Sequence, residues 1–224
     1  MGIGRNAALA ATAKAGPGFT STYVRQVLEY AIDGLGPLRG AEDAADAALV
    51  SADGDVERAV KSYISSHVRM AAAQGFVTNL FGGTAAAVSI PANVAGVALV
   101  QCHLVAGIAH LRGYDLADPR VRNAALACML GREGVQQLLK HKKLPSSPMA
   151  LATSPVHDPQ LDKRVATEVT TQIFGNVLGK RAAVFVARRV PVLGGGVGAT
   201  SDAYSTREIG RYAAGELKDR RLRR

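Results

Sequence analysis

Hydrophobic positions along the chain recur every three or four residues, the spacing that places them on one face of a helix. The first such stripe predicts a helix that ends where Gly34 and Pro37 interrupt the pattern; it consists of Val24, Val27, Leu28, Ala31, Ile32 and Leu35. A short acidic helix is predicted over 42–50, and an Asp-Gly-Asp sequence then caps a longer helix with its stripe over 56–71. No repeat and no alternating strand pattern of useful length is present in the sequence.

The run from Met70 to Leu111 contains 42 residues and no Asp, Glu, Lys or Arg. At about 1.5 Å per residue, one helix of this length would reach roughly twice the hydrocarbon thickness of a bilayer. We expect Gly75 and Gly82-Gly83 to break it, and Pro91 suits the first turn of a new helix. Alanine and glycine replace the large apolar residues that a membrane span prefers. We therefore interpret the run as the central helices of a packed bundle, with a surface able to meet lipid if the bundle opens.

The C-terminal half adds three helical regions. Asp118 and the proline after it predict the start of a helix over 119–140. A Pro/Ser-rich stretch over 144–159 is typical of a surface loop. Helical character resumes over 160–190, with interruptions near Gly175 and Gly179, and a last helix is predicted from Leu193 to Leu217.

Composition agrees with a helical protein. A chain of 224 residues usually forms one domain, and with 5% aromatic residues and no Trp its core must be built from Ala, Val, Leu and Ile. The predicted fold class is all-α, a single compact multi-helix bundle with Ala/Gly-rich, closely packed central helices. We expect a flexible N-terminal lead-in over 1–20, a helical domain over 21–217 and a basic C-terminal tail over 218–224.

Charge and cysteine content suggest a location and a type of partner. The net charge is +9, and residues 1–60 carry five Lys/Arg against eight Asp/Glu, so the basic character belongs to the rest of the chain. Such a surface is by default solvated, and an anionic membrane or a membrane protein complex is the partner that it could bind. Nucleic acid is not expected, because there is no recognition-helix signature and aromatic residues are few. Cys102 and Cys128 lie in apolar surroundings, and no signal peptide is visible. Both observations predict a protein located in the cytoplasm, where it could lie at the inner face of the cell membrane.

Four short groups of residues occur in a distinctive order; they are Ala73–Thr78, Ile90–Asn93, Gly113–Asp115 with Asp118–Arg122, and Pro191–Gly195 leading to Gly210–Ala213. In this order they resemble the EcsC family of bacterial proteins, and the resemblance covers roughly residues 55–215. It implies an all-helical domain, encoded in some bacteria beside an ABC transporter, without an established biochemical role. It supplies no catalytic residue to carry over.

No catalytic, cofactor-binding or metal-binding motif is found in the sequence. A zinc peptidase needs histidine and carboxylate ligands at defined spacing, and the five histidines include no HxH, HExxH or HxxxD arrangement. His103 and His110 do lie seven residues apart on one helical face. We interpret both as core histidines that hydrogen bonds satisfy, with a metal or catalytic pair as the alternative.

A glycine-rich run and a few isolated polar residues are the remaining candidates. The run that begins at Gly194 has no Lys-Ser/Thr ending and no preceding strand, which argues against a phosphate-binding loop. Gly194, Gly195 and Gly198 are instead predicted to let another helix approach closely, with a ligand or lipid pocket as the alternative. If a functional site exists, its candidate residues are Asn93, His103, Asp202 and Arg207, which are polar groups on apolar or small-residue helices.

These observations favour a non-enzymatic helical protein that associates peripherally with the cytoplasmic membrane or with a transporter-type membrane complex. A soluble domain that binds a lipid or another apolar ligand, or a protein partner, is the alternative. A hydrolase that acts on the cell envelope ranks last, since no residue pattern supports it.

Overall fold

The computed structural model describes the backbone of residues 17–35, 38–81, 89–171, 193–218 and 220, and within these ranges the side chains of 24–34, 38–73, 96–171, 200–218 and 220. The helices are α1 (Pro17–Asp33), α2 (Ala41–Ser51), α3 (Val56–Phe81), α4 (Ser89–Leu111), α5 (Pro119–Cys128), α6 (Gly131–Lys140), α7 (Pro148–Ala152), α8 (159–171) and α9 (Leu193–Glu216). Two strands of two residues each, β1 (Gly34–Leu35) and β2 (Leu38–Arg39), pair antiparallel between α1 and α2. The predicted all-α fold class is confirmed.

Helix α4 lies at the centre of the bundle. It packs against α1, α2, α3, α5 and α9, while α9 also packs along α3. From Val100 to Ala109 every described side chain of α4 is buried, because neighbouring helices surround it; the largest fully buried ones are Leu104, Ile108 and His103. A helix that is apolar nearly all round is expected in such a position. Among the described residues, no helix is both long and apolar enough to span a membrane.

Several predicted element boundaries are confirmed. Pro91 lies in the first turn of α4, and α5 begins after Asp118, whose carboxylate accepts a hydrogen bond of 2.8 Å from the backbone N–H of Arg120. Cys102 and Cys128 are both free and buried. Helix α1 begins at Pro17, so the last residues of the predicted lead-in are helical.

Three predictions within these ranges are wrong. Helix α3 continues through Gly75, because one glycine in a long helix costs only about 1 kcal/mol. The helix predicted over 119–140 is two helices, since Gly131 has a φ of +67° that breaks the regular backbone between α5 and α6. The stretch predicted as a loop over 144–159 contains α7, whose first turn is capped by Ser147.

The predicted breaks at 82–83, 175 and 179 lie outside the described residues, as do most of the lead-in and most of the basic tail.

Candidate functional site

In the described part of the chain, an open pocket lies between the β1–β2 hairpin and helices α2, α3 and α4. Its volume is about 330 Å³. The residues around it are Leu38, Arg39, Ala44, Ala48, Ser62, Tyr63, Ser66, His67, Met70 and His103. Leu38, Ala44, Ala48 and Met70 are apolar, and the three buried residues, Tyr63, His67 and His103, bring a phenol and two imidazoles to what we call the floor of the pocket. We call it the histidine pocket.

The floor of the histidine pocket is a chain of short polar contacts. Nδ1 of His67 lies 2.8 Å from the carbonyl oxygen of Tyr63, and Nε2 of His67 lies 2.8 Å from Nδ1 of His103. Nε2 of His103 lies 2.9 Å from the carbonyl oxygen of Arg39 in β2. The hydroxyl of Tyr63 lies 3.0 Å from Nδ1 of His103. These contacts join α3, α4 and the hairpin at one point.

The sequence explains how the helices present these groups. Tyr63 and His67 are four residues apart, which places them on the same face of α3, and their ring centroids are 4.3 Å apart. Gly107 of α4 leaves room for the phenol of Tyr63, because a Cβ atom at this position would lie 2.4 Å from three atoms of the Tyr63 side chain. Close helix packing therefore positions the site.

Burial governs the acid–base behaviour of this cluster. The exposed fraction is 4% for Tyr63, 3% for His67 and 2% for His103. Because a charged group loses its hydration when it is buried, the pKa of His67 falls to about 4 and the pKa of His103 also falls. The same effect raises the pKa of the Tyr63 hydroxyl, which therefore keeps its proton.

His110 lies two turns along α4 from His103 and has different partners. Its Nε2 lies 2.8 Å from the Asp46 carboxylate of α2, and its Nδ1 lies 3.9 Å from the Glu42 carboxylate. Two carboxylates of the acidic helix α2 therefore contact α4. The two histidines that share a helical face do not share a site.

The candidate residues from sequence analysis are distributed over several places. His103 lies in the histidine pocket, whereas Asp202 and Arg207 on α9 are not among the residues that line it. The backbone of Asn93 lies in the first turns of α4, but its side chain is outside the described residues. Another polar residue of α4 does reach α9: Gln101 donates hydrogen bonds to the hydroxyls of Ser205 and Thr206.

The glycines predicted to allow close packing lie in the first two turns of α9, and their surroundings are outside the described residues; they are Gly194, Gly195 and Gly198. Close packing is observed at two other glycines. A Cβ atom at Gly107 would overlap Tyr63, and a Cβ atom at Gly210 would lie 3.0 Å from Leu104 and 3.1 Å from Ile64. These contacts bring α3 close to α4, and α9 close to both.

A second surface feature is strongly basic. An open cleft of about 410 Å³ lies between the end of α6 and the helix α8, and it is lined by Lys142, Lys143, Lys163, Arg164, Thr167 and Glu168. Lys140 and His141 precede it directly in the chain, and both are exposed. Lys143 forms an ion pair with Glu168 at 2.8 Å. We call this feature the basic cleft.

Tyr63 and His67 were not predicted as site residues, because both belong to the hydrophobic stripe over 56–71. The available signal was the spacing of four residues between Tyr63 and His67, which places both on one face of the helix. This spacing is the same for two side chains of a buried hydrogen-bond network and for two side chains of the hydrophobic core, so it does not distinguish them. Among the described residues, no group of three or more His, Cys, Asp or Glu side chains could hold a metal ion.

The fold and these features define an all-α domain with a polar network beneath a small pocket and a separate basic cleft. The sequence model of the EcsC protein family matches residues 20–222. The chain therefore belongs to the EcsC protein family, and the match covers nearly its whole length. The comparisons with curated proteins and with solved structures found no match.

Proposed function

We propose that this protein associates peripherally, without enzymatic activity, with the anionic inner face of the cytoplasmic membrane through the basic cleft. The observation that supports the proposal is the position of four cationic side chains around one open cleft that contains a single carboxylate. Basic side chains next to anionic lipid contribute about 1 kcal/mol each. The three cations that remain after the Lys143–Glu168 ion pair together contribute roughly 3 kcal/mol, which gives weak and reversible attachment.

Sedimentation with lipid vesicles tests this proposal. We expect the protein to sediment with vesicles that contain phosphatidylglycerol and to stay in the supernatant with phosphatidylcholine alone. Binding should weaken as salt rises, because the attraction between exposed charges is screened. Failure to sediment with anionic vesicles at low salt would overturn the proposal.

A pair of matched variants separates the basic cleft from net charge. Lys142→Glu combined with Lys163→Glu reverses two cations of the cleft and should abolish most of the binding. Lys61→Glu combined with Arg69→Glu changes the net charge by the same amount on the exposed surface of α3 and should bind nearly as well as the wild type. Equal losses in both variants would show that overall charge, rather than the basic cleft, controls binding.

A second candidate function is supported by the histidine pocket. Its walls offer apolar contacts from Leu38, Ala44, Ala48 and Met70, which suit a short apolar ligand. Native mass spectrometry of the purified protein should then show a bound small molecule that is released on denaturation. The substitution Ala48→Phe, which narrows the pocket, should remove it. A spectrum that contains only the mass of the chain would refute this function.

A further inference from the structure

Three short contacts connect four groups on the floor of the histidine pocket. In order, they are the contact from the Tyr63 carbonyl to Nδ1 of His67, the contact from Nε2 of His67 to Nδ1 of His103, and the contact from Nε2 of His103 to the Arg39 carbonyl. Their lengths of 2.8, 2.8 and 2.9 Å are those of hydrogen bonds. Each contact therefore requires one proton between its two atoms.

Two neutral imidazoles cannot supply three protons. A neutral histidine carries one N–H and one nitrogen with a lone pair, so His67 and His103 together provide two N–H groups. Both carbonyl oxygens can only accept hydrogen bonds. The two N–H groups therefore point outward, one to the Tyr63 carbonyl and one to the Arg39 carbonyl. The facing nitrogens, Nε2 of His67 and Nδ1 of His103, are then two lone pairs at 2.8 Å. If either ring adopts its other tautomer, the contact that lacks a proton is one of the two carbonyl contacts instead.

We propose that His67 and His103 form a proton-binding site that holds one additional proton between Nε2 of His67 and Nδ1 of His103. With this proton bound, the pair carries one positive charge and all three contacts are hydrogen bonds. The central one is charge-assisted, the stronger class of hydrogen bond. The bound proton thereby joins α3 to α4, and the hydrogen bond from His103 to the Arg39 carbonyl connects the hairpin to both helices.

The surroundings of the pair oppose this charge and set the pH range of the site. Burial lowers the pKa of both histidines, to about 4 for His67. The residues that line the pocket include the cationic Arg39 and the neutral Tyr63, but no carboxylate. The carboxylates on the helices packed against α3 and α4 lie outside the lining; they are Glu29 and Asp33 on α1, Glu42, Asp43 and Asp46 on α2, and Asp202, Glu208 and Glu216 on α9. The third hydrogen bond favours proton uptake against this effect, and we place the transition below 6.5, the ordinary value.

Loss of the proton changes the partner of His103. The Tyr63 hydroxyl lies 3.0 Å from Nδ1 of His103 and donates to it once the pair is neutral. Nε2 of His67 then has no proton to share and separates from His103. Because His67 lines the pocket, the neutral imidazole presents an unprotonated nitrogen there. The site thus couples proton uptake to the polarity of the histidine pocket, independently of the basic cleft.

Nitrogen-15 NMR of the histidine rings in the full chain tests the proposal directly, because the chemical shift of each ring nitrogen reports whether it carries a proton. Upon acidification from neutral pH, we expect the signals of Nε2 of His67 and Nδ1 of His103 to move together with one apparent pKa below 6.5. Circular dichroism monitors the fold. If each ring kept one unprotonated nitrogen down to pH 4 in the folded protein, the proposal would be wrong.

The substitution Tyr63→Phe provides a second test. It removes the donor that stabilises the neutral pair and keeps the aromatic ring against Gly107, so the apparent pKa of the pair should rise. A role of Tyr63 in packing alone would leave it unchanged, and that result would overturn the proposed exchange of partners. Tyr30→Phe on α1, where the tyrosine is 41% exposed, is the matched control and should leave the titration as in the wild type.

Discussion

The contact between Gly107 and Tyr63 leads to a quantitative prediction for Gly107→Ala. The new methyl carbon would lie 2.4 Å from Cε1, Cζ and Oη of Tyr63. The phenol cannot move aside easily, because it is 4% exposed, packs at a tilt against the ring of His67 with ring centroids 4.3 Å apart and contacts His103 at 3.0 Å. Either the ring or the whole of α4 must shift.

The expected change in the free energy of unfolding combines three effects. Overpacking a core costs about 1 to 3 kcal/mol, and loss of the hydrogen bond between Tyr63 and His103 costs about 1 kcal/mol. The higher helix propensity of alanine than of glycine offsets about 1 kcal/mol of this cost. We expect a net destabilisation of about 2 kcal/mol, equivalent to a fall of roughly 4 to 8 °C in the Tm of a protein of this size.

Urea denaturation followed by circular dichroism measures this change. The control is Gly215→Ala near the end of α9, where a Cβ atom meets nothing within 4 Å; it should be neutral or stabilise by up to about 1 kcal/mol. The double variant Gly107→Ala/Tyr63→Leu should be more stable than the sum of the two single changes by about 1 kcal/mol, because the smaller side chain removes the overlap. The reasoning fails if Gly107→Ala is as stable as the wild type.

Three further changes test the packing and capping of the bundle by the same measurement. Leu104→Ala removes a fully buried side chain from α4 and should cost about 3 kcal/mol; a cost below about 1 kcal/mol would contradict its place in the core. Asp118→Ala removes the cap of α5 and should cost about 1 kcal/mol. The hydrogen bonds from Arg120 lower the pKa of Asp118 from 3.8 in the folded state, so the stabilisation by this carboxylate is present above that pH and lost below it. If the difference in the free energy of unfolding between Asp118→Ala and the wild type increased in acid, this account of the cap would be wrong. Glu57→Gln removes the charged partner of the buried Arg112 and should cost about 1 kcal/mol at low salt, whereas an unchanged stability would assign the pair no role.

Sequence reasoning predicted the helices well where one physical signal dominated. The cap at Asp118 and the position of Pro91 are local features, and both predictions are correct in the structure. The effects of glycines were harder to predict. Gly75 lies inside α3, while Gly131 separates two helices with a φ of +67°. Residue type alone does not distinguish these cases, because packing decides which backbone conformation the glycine adopts.

The candidate site was predicted only in part. His103 was selected because it is a polar residue on an apolar helix, and it does lie in the histidine pocket. Asp202 and Arg207 were selected by the same argument, yet they do not line this pocket. The network also includes the Arg39 carbonyl, a backbone group that no residue pattern identifies.

The sequence by itself determined the helical class, the buried character of α4 and the membership of the EcsC protein family, because periodicity, composition and motif order are properties of the chain. Only the tertiary structure decided which polar groups meet. His67 and His103 are 36 residues apart in the chain, and their nitrogens come within 2.8 Å because α3 and α4 pack closely at Gly107. The shortage of one proton follows from that distance, and a distance between two helices depends on how their surfaces fit together.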